Sequence, residues 1–321
     1  MNRSYSVGRR CPIEAIDIFI DAMAKAGIVP MEPISLTSGE LCRFRCVGDN
    51  MGRRNGWAVL HYDSGVACGA FGNWRSGKGN KWRFGKNGHS LSTHERRVMA
   101  DAARRREADR HQATERAAVF ARNMWCSASN ADPAHPYLAR KYLHPFGIRQ
   151  QASCLIVPLV DDAALLHSVQ RIGPDGKKLF VKGGRTKGLF WPFGVWPLDG
   201  KPVAGPLVIA EGWATAAAVH EATGFGVAAA MNAYNLIPVA ETMRRLFPDR
   251  CIVIAADHDG GSGDNVGLIA ATKAAQASRA IVASPTPPGQ ATACTSLKID
   301  FADIPRDQAA ALIRRAIGRE A

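Results

Sequence analysis

The second half of the chain alternates short apolar runs with segments of helical periodicity. We predict strands at 154–160, 165–172, 178–182, 207–210, 226–231, 251–256 and 280–284, and helices at 213–223, 236–247, 264–279 and 306–318. This alternation is typical of an α/β fold built on a mainly parallel sheet. Gly224 stands where a helix should end, and Asn235 stands where the next helix should begin.

The first half of the chain has a different pattern. Residues 12–27 show apolar positions at helical spacing, and residues 41–84 contain short apolar runs broken by Gly, Asn and Asp. The first pattern predicts a helix and the second a small antiparallel sheet. Residues 91–126 are charged, rich in Ala and Arg, and free of Pro and Gly, which favours one long helix. Prolines and a glycine in 133–150 indicate a junction.

Positive charge is concentrated in the first half. The 321-residue chain has a net charge of +13. Of this, residues 1–150 carry +11 (24 basic against 13 acidic), and residues 151–321 carry +2 (17 against 15). This asymmetry indicates a nucleic-acid-facing half joined to a nearly neutral half. The eight cysteines form no disulfide framework, and the sequence has no membrane-spanning or signal segment, so we expect a cytoplasmic protein without a membrane partner.

Two predicted strands are followed directly by acids. Glu211-Gly212 follows strand 207–210, and Asp257-His258-Asp259 follows strand 251–256. Ligand sites of α/β sheets lie beyond the carboxyl ends of the strands. Residues two apart in an extended segment point the same way, so Asp257 and Asp259 can share a cation while His258 points away. Carboxylates converging at this edge suit Mg²⁺.

These motifs resemble the Toprim domain of bacterial DNA primases, topoisomerases and some nucleases. The run EGWATAAAVHEATG, the following NAYNLIPVA and the later Asp300-Phe-Ala-Asp303 are similar to the Toprim primases of plasmids, phages and integrative elements. The resemblance covers residues 135–305, and a weaker likeness extends to residues 53–77.

The resemblance implies an α/β fold, α+β overall, with a Toprim-type Rossmann-like catalytic domain, a small β-containing N-terminal module and a linking helix. The expected divisions are a basic template-binding module (1–90), a helical linker (91–132), the basic N-terminal part of a primase core (133–206), the Toprim domain (207–305) and a C-terminal helix (306–321). The implied activity is synthesis of short RNA primers on single-stranded DNA from NTPs, with Mg²⁺ or Mn²⁺.

The resemblance also assigns roles to the acids. Asp257 and Asp259 are expected to bind the metal, and Glu211 either binds it or acts as general base on the primer 3′-hydroxyl. Asp300 and Asp303 are further candidate metal ligands. Because Asp303 precedes a predicted helix, a helix-capping role is the alternative for it.

A dense basic cluster precedes the Glu-Gly strand. Pro174-Asp-Gly176 marks a hairpin turn, and Gly183-Gly184 would let the backbone approach a phosphate closely. Related primases carry a comparable patch that faces template and nucleotide phosphates. A solvated cationic hairpin is the alternative interpretation. The candidate residues are Arg171, Lys177, Lys178, Lys182, Arg185 and Lys187.

Aromatic and basic residues interleave in the N-terminal module, a combination that commonly holds single-stranded nucleic acid. The alternative is that the aromatic residues form a small core. Trp74 and Trp82 are the candidates for base stacking, because glycines and lysines surround them. The candidate DNA-binding residues are Arg53, Arg54, Trp74, Arg75, Lys78, Lys81, Trp82, Arg83 and Lys86.

Several further features of the sequence bear on alternative functions. The pair Cys42 and Cys46 lacks a second close pair, which argues against a zinc ribbon. No Walker A motif is present, so any replicative helicase would be a separately encoded partner. A Toprim nuclease would use the same acids, and a non-catalytic single-strand-binding accessory protein is a further alternative.

Overall fold

The computed structural model describes residues 12–62, 67–84, 93–194, 205–258, 265–285 and 299–318. The chain forms two compact units, unit 1 (residues 1–109) and unit 2 (residues 110–321). A long helix, α2 (Thr93–Ser127), contributes residues to both units. No helix in the described ranges is both long and apolar enough to span a membrane.

Unit 1 combines one helix with an antiparallel sheet whose strands pair in sequence order, as predicted. The order is the simplest for a meander, in which each strand turns back on the one before it. The elements are α1 (Pro12–Lys25), β1 (Cys42–Phe44), β2 (Gly56–His61), β3 (Cys68–Asn73) and β4 (Lys78–Arg83).

The core of unit 1 forms where α1 packs on the sheet. The buried ring of Phe19 meets Phe71 and Trp82 edge-on, at centroid distances of 5.4 and 5.1 Å. Gly69 permits this contact, because a Cβ there would stand 3.0 Å from the Phe19 ring and 2.4 Å from a backbone oxygen of the neighbouring strand. A side chain at this position would therefore push the helix off the sheet.

Unit 2 contains two five-stranded sheets. The first is an antiparallel meander in which every strand pairs with its neighbours in sequence. Its strand at Cys154–Val160 is a buried apolar run, and α2 packs against the sheet through Ala121 and Met124. The elements are β5 (Ser129–Asn130), α3 (Pro136–Lys141), β6 (Arg149–Gln151), β7 (Cys154–Val160), β8 (Leu166–Ile172) and β9 (Lys178–Phe180).

The second sheet is mainly parallel and has the order β10-β12-β11-β13-β14, with only β10 antiparallel. This confirms the predicted Rossmann-like arrangement. Its elements are β10 (Trp191–Phe193), β11 (Leu207–Ala210), α4 (Trp213–Thr223), β12 (Gly226–Ala229), α5 (Leu236–Leu246), β13 (Ile252–Ala255), α6 (Val266–Ser278), β14 (Ile281–Ala283) and α7 (Arg306–Ile317).

Helices cover both faces of this sheet. Val208 and Ala210 point into a core shared with α4 and α7, whereas Leu207 and Ile209 point into a core shared with α5 and α6. All four side chains of β11 are buried, which explains why this strand reads as a continuous apolar run. The sheet is thus closed on its faces, and its strand ends are left to form a site.

The predicted secondary structure is largely confirmed, with informative exceptions. Gly224 ends α4 in the left-handed conformation, with φ of +70°. The short elements α3 and β10 were not predicted, because proline-containing segments were interpreted as junctions or loops. Asn235 precedes α5 as predicted, but its side chain makes no capping hydrogen bond to that helix.

Asn235 instead connects three segments in the interior. Its Nδ2 donates to the carbonyl oxygens of Leu189 and Ala230, both at 2.7 Å, and its Oδ1 accepts from the amide of Gly188 at 2.7 Å. Because the Asn235 side chain is buried, water cannot replace it as the hydrogen-bond partner of these three backbone groups. Asn235 therefore ties the chain before β10 to the end of β12.

Replacing Asn235 with Ala is expected to destabilise unit 2 by about 2–4 kcal/mol, because buried backbone groups lose their partners. Urea unfolding followed by circular dichroism measures this change. The matched control is Asn130→Ala on the exposed strand β5, expected to stay within about 0.5 kcal/mol of the wild type. Equal stability of the two variants would contradict the interpretation.

Candidate active site

Two of the predicted acids lie side by side at the carboxyl edge of the parallel sheet. Strands β11 and β13 are direct parallel neighbours, with Ala210 opposite Ala255. Glu211 follows the first strand and Asp257 follows the second, so the sheet brings both carboxylates to one edge. The strand pairing alone explains their proximity.

A third acid reaches this edge through a backbone bridge. His258 and Ile299 exchange two hydrogen bonds of 2.9 Å each, in an antiparallel pairing outside the main sheet. The bridge sets Asp300 beside the segment that carries Asp257. His258 turns its ring to Asn265, with 2.8 Å between Nδ1 and Nδ2. The acid cluster therefore contains Glu211, Asp257 and Asp300.

The acids repel one another in a poorly hydrated place. Burial, followed by the negative charges of Glu211 and Asp300, raises the pKa of Asp257 to about 8. The hydroxyl of Thr215 donates to Asp257 Oδ1 at 3.2 Å and acts in the opposite direction, as does the charge of Lys178. Without a cation, Asp257 therefore holds a proton at neutral pH.

Lys178 is the member of the basic cluster that the fold brings to the acids. It begins β9, and its Nζ lies 3.6 Å from where a Cβ on Gly212 would stand. Its charge favours the ionised form of Asp257. The ammonium group of Lys178 therefore lies within contact distance of Gly212 and next to the acid cluster.

Lys141 forms an ion pair with Asp300, the third acid of the cluster. The sequence alone did not indicate a role for Lys141. Its Nζ lies 3.3 Å from Asp300 Oδ2 and 2.5 Å from Asp303 Oδ1. Burial alone would lower the pKa of Lys141, but the two carboxylates outweigh burial and raise it. The Asp303 side chain also accepts from the Asp300 amide at 3.1 Å. The alternative in which Asp303 caps α7 is wrong, because Pro305 occupies the N-cap position.

The other members of the basic cluster have different surroundings. Arg185 lies 3.9 Å from Asp161 Oδ2, a carboxylate already bonded to His167 Nε2 at 2.7 Å. Arg171 is half-buried on β8. The remaining three side chains are exposed, and their predicted contacts with phosphates stay predictions; they are Lys177, Lys182 and Lys187.

The predicted DNA-binding residues of unit 1 divide into three groups. Arg53, Arg54, Arg75 and Lys81 are exposed, and Trp74 is 36% exposed. Trp82 and Arg83 are half-buried, and the Trp82 ring contacts Phe19 of α1, so stacking of a base on Trp82 stays a prediction. Lys86 and the side chain of Lys78 lie outside the described residues, as does the predicted metal ligand Asp259 of unit 2.

The acid cluster fits a hard divalent ion that keeps part of its water shell. Within the described ranges, no group of three or more His, Cys, Asp and Glu side chains is arranged so that it could hold a metal ion. Magnesium commonly takes only one or two carboxylates, with waters and substrate phosphates completing the shell. Such an ion would offset both the burial of Asp257 and its repulsion by Glu211 and Asp300, which together raise its pKa.

Comparison with known proteins identifies the domain that carries this cluster. Residues 206–311 match the family model described as the Toprim domain. The chain is 34% identical over 277 residues to a protein named DNA primase TraC from Escherichia coli, covering 81% of this chain. A second Escherichia coli protein of that name is 31% identical over 279 residues, again over 81% of this chain. These matches confirm the resemblance to Toprim-domain DNA primases.

The chain spans only 25% and 19% of the length of these two relatives. Among solved structures, it resembles the RNA polymerase domain of Mycobacterium tuberculosis primase DnaG, with 17% identity, a TM-score of 0.40 and coverage of 66% of this chain and 83% of that one. It also resembles the primase fragment of the bacteriophage T7 primase-helicase protein, with 15% identity, a TM-score of 0.40 and coverage of 56% and 73%. The sequence matches, rather than these weak structural likenesses, identify the domain.

The raised pKa of Asp257 predicts an unusual dependence of stability on pH. The folded protein holds this proton up to about pH 8, whereas an unfolded Asp releases it near 3.8, so in metal-free buffer stability falls as pH rises between these values. Asp257→Asn is expected to melt at a higher temperature than the wild type at pH 8 in EDTA. Near pH 4 the two should agree.

A control of opposite sign is Asp161→Asn. Burial alone would raise the pKa of Asp161, but the hydrogen bonds from His167 and two backbone amides outweigh burial and lower it. This variant should therefore be less stable than the wild type above about pH 4 and similar below it. If Asp257→Asn followed the same course as Asp161→Asn, the acid cluster would not be repulsive.

Proposed function

We propose that this chain is the catalytic part of a DNA primase that makes short RNA primers on single-stranded DNA, in the replication of a mobile element. The observation that carries the proposal is the convergence of Glu211, Asp257 and Asp300 with Lys178 at the carboxyl edge of the Toprim sheet. Similarity to DNA primases over 81% of the chain supports nucleotidyl transfer rather than nuclease activity.

Each residue has a distinct task in this proposal. Asp257 and Asp259 would hold Mg²⁺ or Mn²⁺, which would supply positive charge to neutralise the phosphates. Glu211 either shares that ion or accepts the proton of the primer 3′-hydroxyl. Thr215 orients the Asp257 carboxylate through its hydroxyl. Lys178 offers an ammonium donor to the phosphates of the incoming NTP.

The proposed partners follow from this chemistry. Single-stranded DNA is the template, NTPs are the substrates, and a separately encoded helicase is a candidate partner in replication. The excess positive charge of residues 1–150 supports template binding there. The described cysteines are free thiols, in keeping with the predicted cytoplasmic location.

One assay separates primase from nuclease. The protein is incubated with single-stranded DNA, labelled NTPs and Mg²⁺ or Mn²⁺. Labelled oligoribonucleotides that appear while the DNA keeps its length support the primase. Shortened DNA without labelled products would support the nuclease alternative instead.

Removing a proposed metal ligand should abolish chemistry while sparing DNA binding. Asp257→Ala and Asp259→Ala are each expected to lower primer yield by more than the roughly 10–100-fold typical of losing a group that only supports a ligand. Affinity for single-stranded DNA should change little, because phosphate attraction depends mainly on basic side chains. Primer yield near the wild-type value from either variant would refute the metal site.

The neighbouring lysines 177 and 178 offer a matched pair. Lys178→Ala should lower kcat/KM for NTPs by about ten- to a hundredfold, because one charge-assisted hydrogen bond to phosphate is lost. Lys177→Ala removes the same charge from the exposed turn and should leave kcat/KM within about threefold of the wild type. Equal effects of the two substitutions would mean that the lysines contribute only non-specific positive charge and that Lys178 makes no direct contact with phosphate.

A further inference from the structure

A basic cleft in unit 1 has no part in the chemistry described above. The cleft has a volume of about 370 Å³ and lies between residues 31–35, strand β1 and residues 52–54. Its lining contains four arginines and one carboxylate, Glu32. The arginines are Arg43, Arg45, Arg53 and Arg54.

Two of these guanidinium groups are held in place by backbone oxygens. Arg43 Nη2 donates to the carbonyl of Arg54 at 3.0 Å. Arg45 donates to the carbonyl of Asp49 through Nε at 3.3 Å and through Nη2 at 3.1 Å. In the described part of the chain, neither arginine forms an ion pair with a carboxylate. Because a carbonyl has no net charge, these hydrogen bonds do not neutralise the positive charge of either side chain.

The loop that supplies these oxygens is itself fixed from within. The buried Asp49 carboxylate accepts from the Cys46 amide at 3.0 Å and from Asn55 Nδ2 at 2.9 Å. Burial alone would raise the pKa of Asp49, but these hydrogen bonds outweigh it and lower the pKa. The Asp49 carboxylate thus stabilises the loop through hydrogen bonds within it. The cleft is therefore formed without a ligand.

Trp74 supports the same arrangement from the neighbouring strand end. The Arg43 guanidinium lies 4.6 Å from the centroid of the Trp74 ring. The centroids of the Trp74 and Trp57 rings are 5.9 Å apart, and the ring planes are tilted by 32°. A cation stacked on an indole is held in position and still has N–H groups to donate. These contacts make Trp74 a support for Arg43.

We propose that this cleft binds the phosphate backbone of single-stranded DNA, with Arg43 and Arg45 as phosphate ligands and Trp74 as the positioning residue of Arg43. The inference rests on the proposed function and gives the template a site in unit 1. Arginine forks match the geometry of phosphate oxygens.

The size and rim of the cleft favour a single strand. The volume is near the lower end of the roughly 300–1,000 Å³ found for pockets that hold one small ligand, so a duplex cannot enter. Met31 in the lining is 49% exposed, and Met51 beside the 52–54 segment is 87% exposed. Unpaired bases can pack on such apolar groups, whereas bases within a duplex are already stacked.

The test measures binding of a fluorescein-labelled oligo(dT) to the full chain by anisotropy over a salt series. Arg43→Gln/Arg45→Gln should lower affinity about tenfold or more and reduce the slope of log affinity against log salt by about 1.4, because each phosphate contact on a single strand contributes about 0.7. The matched control is Arg314→Gln/Arg315→Gln, which removes the same charge from exposed positions of α7. An unchanged slope in the cleft variant, or an equal loss in the control, would overturn the site.

A double-mutant cycle tests the role of Trp74. Trp74→Ala should weaken binding severalfold in the wild-type background but have little further effect in Arg43→Gln, because both substitutions disable one phosphate contact. An equal loss in both backgrounds would show that a base stacks on Trp74 independently and would overturn its positioning role. Arg43→Lys should keep the salt slope and lose affinity, since the charge remains without the planar fork.

Competition and folding controls complete the experiment. Millimolar ATP is expected to displace little oligonucleotide; displacement at micromolar ATP would overturn the backbone assignment in favour of a free nucleotide. If thermal melting shows that the double variant is unfolded, Arg53→Gln/Arg54→Gln on the exposed loop tests the same cleft. Cleft-dependent binding without primer synthesis would overturn the proposed function alone. Primer synthesis by a cleft variant with wild-type DNA affinity would overturn the cleft alone.

Discussion

Repulsion among carboxylates is the constraint on which the arrangement of unit 2 depends. Glu211 and Asp300 both disfavour the ionised form of Asp257, so attraction between these side chains cannot gather them. Backbone hydrogen bonds do so instead, through the parallel pairing of β11 with β13 and the bridge between His258 and Ile299. The apolar cores on both faces of the sheet stabilise the fold and offset the destabilisation caused by the clustered acids.

Two lysines limit that repulsion from different elements, and the fold anchors one of them firmly. Lys141 ends α3, and Arg306 at the start of α7 donates to the carbonyl oxygens of Lys141 and Tyr142 while pairing with Glu221 of α4 at 2.7 Å. Helices that cover the sheet therefore also fix the cation that holds Asp300. Support for the site and packing of the domain are the same set of contacts.

Sequence reasoning located what local patterns determine. The apolar strands, helix 213–223 and the acids that follow two strands were all predictable. Buried strands and helices show characteristic spacing of apolar residues, and the end of each apolar run marks where a strand ends. Lys141 was not predictable, since its partners stand 159 and 162 residues away and α3 depends on a cap from the buried ring of His135. The contact of Trp82 with α1 was not predictable either, because a strand rich in glycine and lysine does not reveal that a helix packs against it.

Arg43 and Arg45 of the cleft in unit 1 are secured by carbonyl oxygens rather than by carboxylates. A phosphate that binds these two side chains displaces water and mobile counter-ions, but it breaks no ion pair formed among the residues that the structure describes. No carboxylate in this described part of the protein then competes with the phosphate for these arginines as the phosphate binds or leaves. This favours rapid exchange of one phosphate for the next. A template held in this way can be drawn past the protein nucleotide by nucleotide without full release.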